Sequence, residues 1–68
     1  MSLYLDIANA IRNARRNAGL TQDELACRVG VTVAVVSRWE NCKSFPTLSN
    51  LVRIGEATGV DARMLLPG

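Results

Sequence analysis

Sixty-eight residues with a net charge of +2 leave room for one small domain, spanning residues 1–68, and a chain this short buries only roughly 60% of the surface its unfolded form exposes, which leaves little for a large substrate pocket. No apolar run approaches the roughly 20 residues of a membrane span, no secretory signal pattern opens the chain, and the absence of histidine removes the commonest general base and zinc ligand. These features argue against an enzyme, a metal, a cofactor or a membrane partner, and point to a cytoplasmic protein that works through its surface.

In chain order, Ile7, Ile11, Ala14 and Ala18 recur on one helical face, so the first helix is expected over about 3–18, ending at Gly19. Thr21-Gln22-Asp23-Glu24 has the form of a capping box, and Leu20 and Leu25 flank it at the spacing of a hydrophobic staple. A second helix therefore follows over 22–29. It carries Cys27, read as a reduced thiol. Val31-Thr32 with Val36 repeats the staple and starts a third helix over 33–41. Pro46-Thr47 opens a fourth over 48–58, with Leu48, Leu51 and Val52 in its expected buried stripe. Gly55 inside it costs about 1 kcal/mol relative to alanine, which predicts a neighbouring helix packed closely against it. Val60-Asp61 with Leu65 is a third staple, for a fifth helix over 62–66. The fold class is all-α, with five short helices and no strand-period segment.

The second and third helices are separated only by Gly30-Val31-Thr32. A three-residue turn containing glycine makes two short helices cross steeply, as in a helix-turn-helix. At about 100° per residue, Val35, Val36, Trp39 and Glu40 fall on the core side of the third helix. Val33, Ala34, Ser37, Arg38 and Asn41 fall on the outward side. Arg12, Arg15, Arg16, Arg28, Arg38 and Lys43 also outnumber Asp23, Glu24 and Glu40 between residues 12 and 43. That is a modest basic stretch of the kind nucleic acid selects, although such a stretch taken alone is more often a solvated surface.

From Ile11 to Leu66 the sequence closely resembles the phage repressor and Cro family of helix-turn-helix regulators, of the xenobiotic-response-element type. The resemblance rests on Arg15, Gly19-Leu20-Thr21-Gln22, Leu25-Ala26, Val29-Gly30-Val31-Thr32 and Val36-Ser37-Arg38-Trp39-Glu40-Asn41. It continues through Lys43, Pro46, Leu48, Leu51, Gly59-Val60 and Leu65-Leu66. It implies a compact lambda-repressor-like domain that binds double-stranded DNA with its third helix in the major groove.

The resemblance also implies roles. Gln22 would bind a DNA phosphate at a helix N-terminus, where backbone N–H groups favour anions, or be merely solvated. Thr32 would cap the third helix and touch phosphate. Arg15 and Glu40 would form an ion pair that orients the third helix more than it stabilises the fold. Asn41, Lys43 and Ser44 would lie along the DNA backbone, setting affinity and register without reading sequence. Arg12 and Arg16 are outer contacts or solvated side chains. Relatives bind palindromic operators as homodimers, with half-sites about 34 Å apart. Their dimer contacts fall after the fourth helix, here at Gly59, Val60, Arg63 and Met64.

Four positions depart from the family pattern, one of them Cys27, which stands where relatives are usually polar and is therefore expected to be partly exposed. Val33 and Ala34 stand where relatives carry polar readers, and can only pack against a thymine methyl or make loose contact. This leaves Arg38 as the strongest hydrogen-bonding reader, able to hold guanine O6 and N7 or else to reach phosphate, with Ser37 serving either partner. Cys42 replaces the usual glycine after the third helix, so either the turn is reshaped or a left-handed strain of about 1–2 kcal/mol is tolerated. The expected function is sequence-specific transcriptional regulation, as a repressor at a bacterial, phage or prophage locus and in the nucleoid. An antitoxin, a restriction-modification controller or a fragment of a longer regulator would share the fold. A protein-interaction module without DNA binding is the alternative from another class, supported by the apolar Val33 and Ala34.

Overall fold

Four α-helices and a closing 3-10 turn make up the computed structural model, which describes residues 3–66. They are α1 (Leu3–Asn17), α2 (Gln22–Val29), α3 (Val33–Glu40), α4 (Leu48–Thr58) and the 3-10 turn Ala62–Leu65. No strand occurs among the described residues, and the expected domain limits of 1 and 68 lie outside them. Among the described residues, no helix is long and apolar enough to cross a membrane.

Side-chain oxygens start the elements where the sequence punctuation places them. Thr21 Oγ1 accepts from the Glu24 N–H at 3.1 Å while the Thr21 N–H donates to Glu24 Oε1 at 3.0 Å, completing the capping box. Thr32 accepts from the Val35 N–H, Thr47 from the Asn50 N–H and Asp61 from the Arg63 N–H. Each bond satisfies a backbone donor that the first helical turn leaves without a partner. Gly30 sits at φ 88° and ψ 31°, a left-handed conformation open to glycine at no steric cost. It turns the chain from α2 into α3 within three residues.

These turns fold the helices around one core. Ile7, Ile11 and Ala14 of α1 meet Leu25, Ala26 and Val29 of α2, Val36 and Trp39 of α3, and Leu51 and Ile54 of α4. Leu20 and Leu65 close it from the connections. Ala18, expected in the buried face, lies past the end of α1 and is exposed. The chain has already turned there, and Leu20 takes the place in the core.

α4 differs from expectation in its face. Leu51, Ile54 and Gly55 are buried, while Leu48 is 70% exposed and Val52 43% exposed. The face is centred on Leu51 and is bordered by Gly55, where a Cβ would come within 2.5 Å of the Val60 carbonyl oxygen and 3.2 Å of the Ala62 nitrogen. The close neighbour is therefore the chain's own return after α4, not another helix. With that side turned inward, Val52 lies roughly 100° off the buried centre and Leu48 projects from the first turn.

The expected fifth helix is a single 3-10 turn. Its bonds run three residues back, from the Met64 N–H to the Asp61 carbonyl at 2.8 Å and from the Leu66 N–H to the Arg63 carbonyl at 3.4 Å. Leu66 is extended, at φ −96° and ψ 142°, as expected of a residue preceding a proline, which disfavours the α region. The staple still works: Leu65 is buried and Val60 packs partly against the core.

Candidate nucleic-acid interface

α3 presents two faces. Val36, Trp39 and Glu40 are buried and Val35 is half-buried, whereas Val33, Ala34, Arg38 and Asn41 are exposed and Ser37 is half-buried. An exposed strip thus runs the length of a helix whose width suits the major groove. Val33 is 41% exposed. Its neighbour Thr32, itself exposed, holds the N-terminus through the 3.3 Å bond to the Val35 N–H.

The other end of α3 is fixed by a buried carboxylate. Glu40 is 3% exposed and meets three side chains from two other helices. Arg15 binds it in bidentate fashion, Nε to Oε2 at 2.7 Å and Nη2 to Oε1 at 3.0 Å. Gln22 Nε2 donates to Oε1 at 3.1 Å, and Arg12 Nε lies 3.6 Å from the same oxygen. Burial alone would raise the Glu40 carboxyl. The hydrogen bonds from Arg15 and Gln22 and the charges of Arg15 and Arg12 outweigh it and hold the group below its ordinary range. The hydrogen bond to Glu40 likewise pushes the Arg15 guanidinium up.

Two of these contacts are not read from sequence spacing. Arg12, considered there as an outer contact, donates through Nη2 to the Glu40 backbone carbonyl at 2.8 Å, satisfying one of the carbonyls left over at the end of α3. The available signal is its position three residues before Arg15, on the same face of α1. Gln22 is half-buried, with its amide on Glu40 rather than free in solvent. Arg15 also donates through Nη1 to the Leu20 carbonyl at 2.9 Å, so one guanidinium ties the α1–α2 turn to α3.

After α3 the backbone keeps the glycine-type ending without a glycine. Cys42 sits at φ 60°, the Lys43 N–H bonds to the Arg38 carbonyl at 2.8 Å, and the Cys42 N–H points to the Trp39 carbonyl at 3.5 Å. This is a Schellman motif with cysteine in the left-handed position, so the strain is tolerated and the turn is not reshaped. Lys43 is exposed and Ser44 half-buried beyond it. Asn41 Nδ2 turns back onto Ser37. Both cysteines are free and exposed.

On the opposite end, Val60 is half-buried and Arg63 is paired with Asp61 at 2.9 Å, which holds the Asp61 carboxyl down to about 2. Met64 is 73% exposed.

The family model described as helix-turn-helix matches residues 11–65, most of the chain. The chain belongs to the helix-turn-helix family. An uncharacterized HTH-type transcriptional regulator of Haemophilus influenzae is 42% identical over 45 residues, which are 66% of this chain but 19% of that protein. The chain thus spans about a fifth of that relative's length. The hypothetical transcription factor NHTF from Neisseria superposes with a TM-score of 0.89 at 35% identity, covering 97% of this chain and 76% of that one. The P22 c2 repressor, solved in complex with a synthetic operator, superposes with a TM-score of 0.83 at 29% identity, over 91% and 94% of the two chains.

Proposed function

We propose that this helix-turn-helix domain regulates transcription, as a repressor, by laying the outward strip of α3 in the major groove of a duplex operator. The observation that carries this reading is the division of α3 into an exposed strip and a buried face anchored by Glu40. Arg38 is the principal base reader, bidentate to guanine O6 and N7, and Val33 and Ala34 pack against thymine methyl groups. Ser37 completes the base-reading set. Gln22, Thr32, Lys43 and Ser44 bear on phosphates flanking the groove, and Asn41 joins them only when its amide leaves Ser37. Arg15 and Glu40 orient α3 without touching bases.

The homodimer and the palindromic operator are part of the same proposal. Val60, Arg63 and Met64 are its proposed contacts, and the high exposure of Met64 supports them. The site of action is a bacterial, phage or prophage locus in the cytoplasm.

Binding-site selection from random duplex DNA, repeated over a salt series, tests the reading. An enriched motif and an affinity that falls with salt through counterion release are expected. Arg38→Ala should lose about 1–3 kcal/mol at selected base positions, whereas Lys43→Ala should weaken all sequences alike. No enrichment together with no salt dependence overturns DNA binding, and leaves the apolar Val33–Ala34 strip to a protein partner.

A further inference from the structure

Ser37 lies in the middle of the outward strip of α3, between Ala34 and Arg38. Four residues on, Asn41 turns its carboxamide back along the helix. Its Nδ2 donates to the Ser37 carbonyl at 2.7 Å and to Ser37 Oγ at 3.3 Å. The orientation of this amide is unambiguous, because a backbone carbonyl only accepts and must face the N–H side. The amide nitrogen of Asn41 therefore faces Ser37, and its oxygen is turned away from that residue.

A serine or threonine within a helix often donates its proton to the carbonyl four residues back. Thr58 does so, to the Ile54 carbonyl at 2.8 Å. Among the described residues, no group accepts the Ser37 proton, and one of its lone pairs already receives Asn41. A hydroxyl that accepts a hydrogen bond is polarised into a better donor. The proton is then directed away from Asn41, toward the exposed side.

We propose that Ser37 is a specificity-determining residue that donates to an acceptor on a base edge, and that Asn41 is the positioning residue that sets this polarity. The acceptors offered in the major groove are guanine O6 and N7, adenine N7 and thymine O4, while cytosine N4 and adenine N6 are donors that the hydroxyl can meet only through its one remaining lone pair. Asn41 in this orientation does not present the bidentate adenine contact open to a free asparagine, since its amide nitrogen faces Ser37. The inference rests on the DNA-binding reading above.

Binding-site selection with the wild-type chain and three variants tests it, each variant first checked for wild-type helicity by circular dichroism. Ser37→Ala should flatten the preference at one base pair by about three- to tenfold and leave the rest of the motif intact. Asn41→Ala frees the hydroxyl to turn either way and should broaden the same base pair. Asn41→Asp replaces the donor with an acceptor, so the Ser37 proton turns inward and the selected base edge changes from acceptor to donor. A wild-type motif that Ser37→Ala leaves unchanged overturns the inference while DNA binding stands. So does a Ser37-dependent base pair that neither Asn41 variant alters. A wild-type chain that enriches no motif overturns the DNA-binding reading, and this inference with it.

Discussion

At the C-terminal end of α3, Glu40 is buried and gripped by Arg12, Arg15 and Gln22, whereas at the N-terminal end Val33 and Ala34 stand in solvent with the Thr32 cap behind them. The first end fixes where the helix lies relative to the body of the domain. The second can change its side chains with little effect on the fold, because surface substitutions away from special features usually fall within about ±0.5 kcal/mol. A helix held at one end and free at the other separates the question of how it is aimed from the question of what it touches. Substitutions at the free end should therefore leave the framework intact.

The largest expected effect falls on the gripped end. Arg15→Ala removes the bidentate partner of Glu40 and the donor to the Leu20 carbonyl, leaving the buried carboxylate with Arg12 and Gln22. Denaturant unfolding should show a loss of about 3 kcal/mol, as for removal of one partner from a buried pair, which is a large part of what a core this size supplies. Val33→Ser, measured alongside, should stay within about 0.5 kcal/mol of wild type. Equal losses for the two variants would abolish the distinction between the ends.

Acid should act on the same end. Glu40 is held below its ordinary value of 4.5 in the folded state. Its contribution is therefore complete above that value and is lost as the pH falls through the lower, folded one. Thermal melts between neutral pH and pH about 2 should show this loss, and Glu40→Gln, less stable at neutral pH, should have a shallower acid limb. An unchanged limb in Glu40→Gln would remove the carboxylate from the account of acid unfolding. At the free end, Thr32→Ala should cost about 1 kcal/mol through the lost cap, with a parallel fall in duplex affinity measured by titration.

The smallest effect concerns the turn beyond the gripped end. Cys42→Gly should stabilise by up to about 1 kcal/mol, since glycine adopts the left-handed conformation without the Cβ contact. A loss of melting temperature would mean that the cysteine side chain contributes something the backbone geometry does not reveal.

The sequence made the caps legible because each depends on a few adjacent residues, and Thr21, Thr32 and Asp61 lie where their spacing placed them. The sides of α3 were legible for the same reason, as the 3.6-residue period needs no tertiary information. The buried side of α4 was not. Leu48 and Val52 are as apolar as Leu51, but Leu48 sits in the first turn and Val52 lies roughly 100° round from Leu51, and the Val60–Ala62 backbone packs on Gly55, a contact made by chain geometry rather than hydrophobicity. The final turn was misread because a staple marks a helix start but says nothing of its length. In the candidate site, the Arg15–Glu40 pairing followed from family resemblance. The Arg12 bond to a backbone carbonyl and the Asn41 return onto Ser37 carry no residue-type signature, and only the folded geometry reveals them.

The guanidinium of Arg15 touches the chain at Leu20 and at Glu40, and so joins segments that would otherwise open separately. The backbone amides at the end of α3 and those of the α1–α2 turn should exchange with solvent as one unit, with a common opening free energy. An event that loosens the turn after α1 would release the aim of the third helix at the same moment.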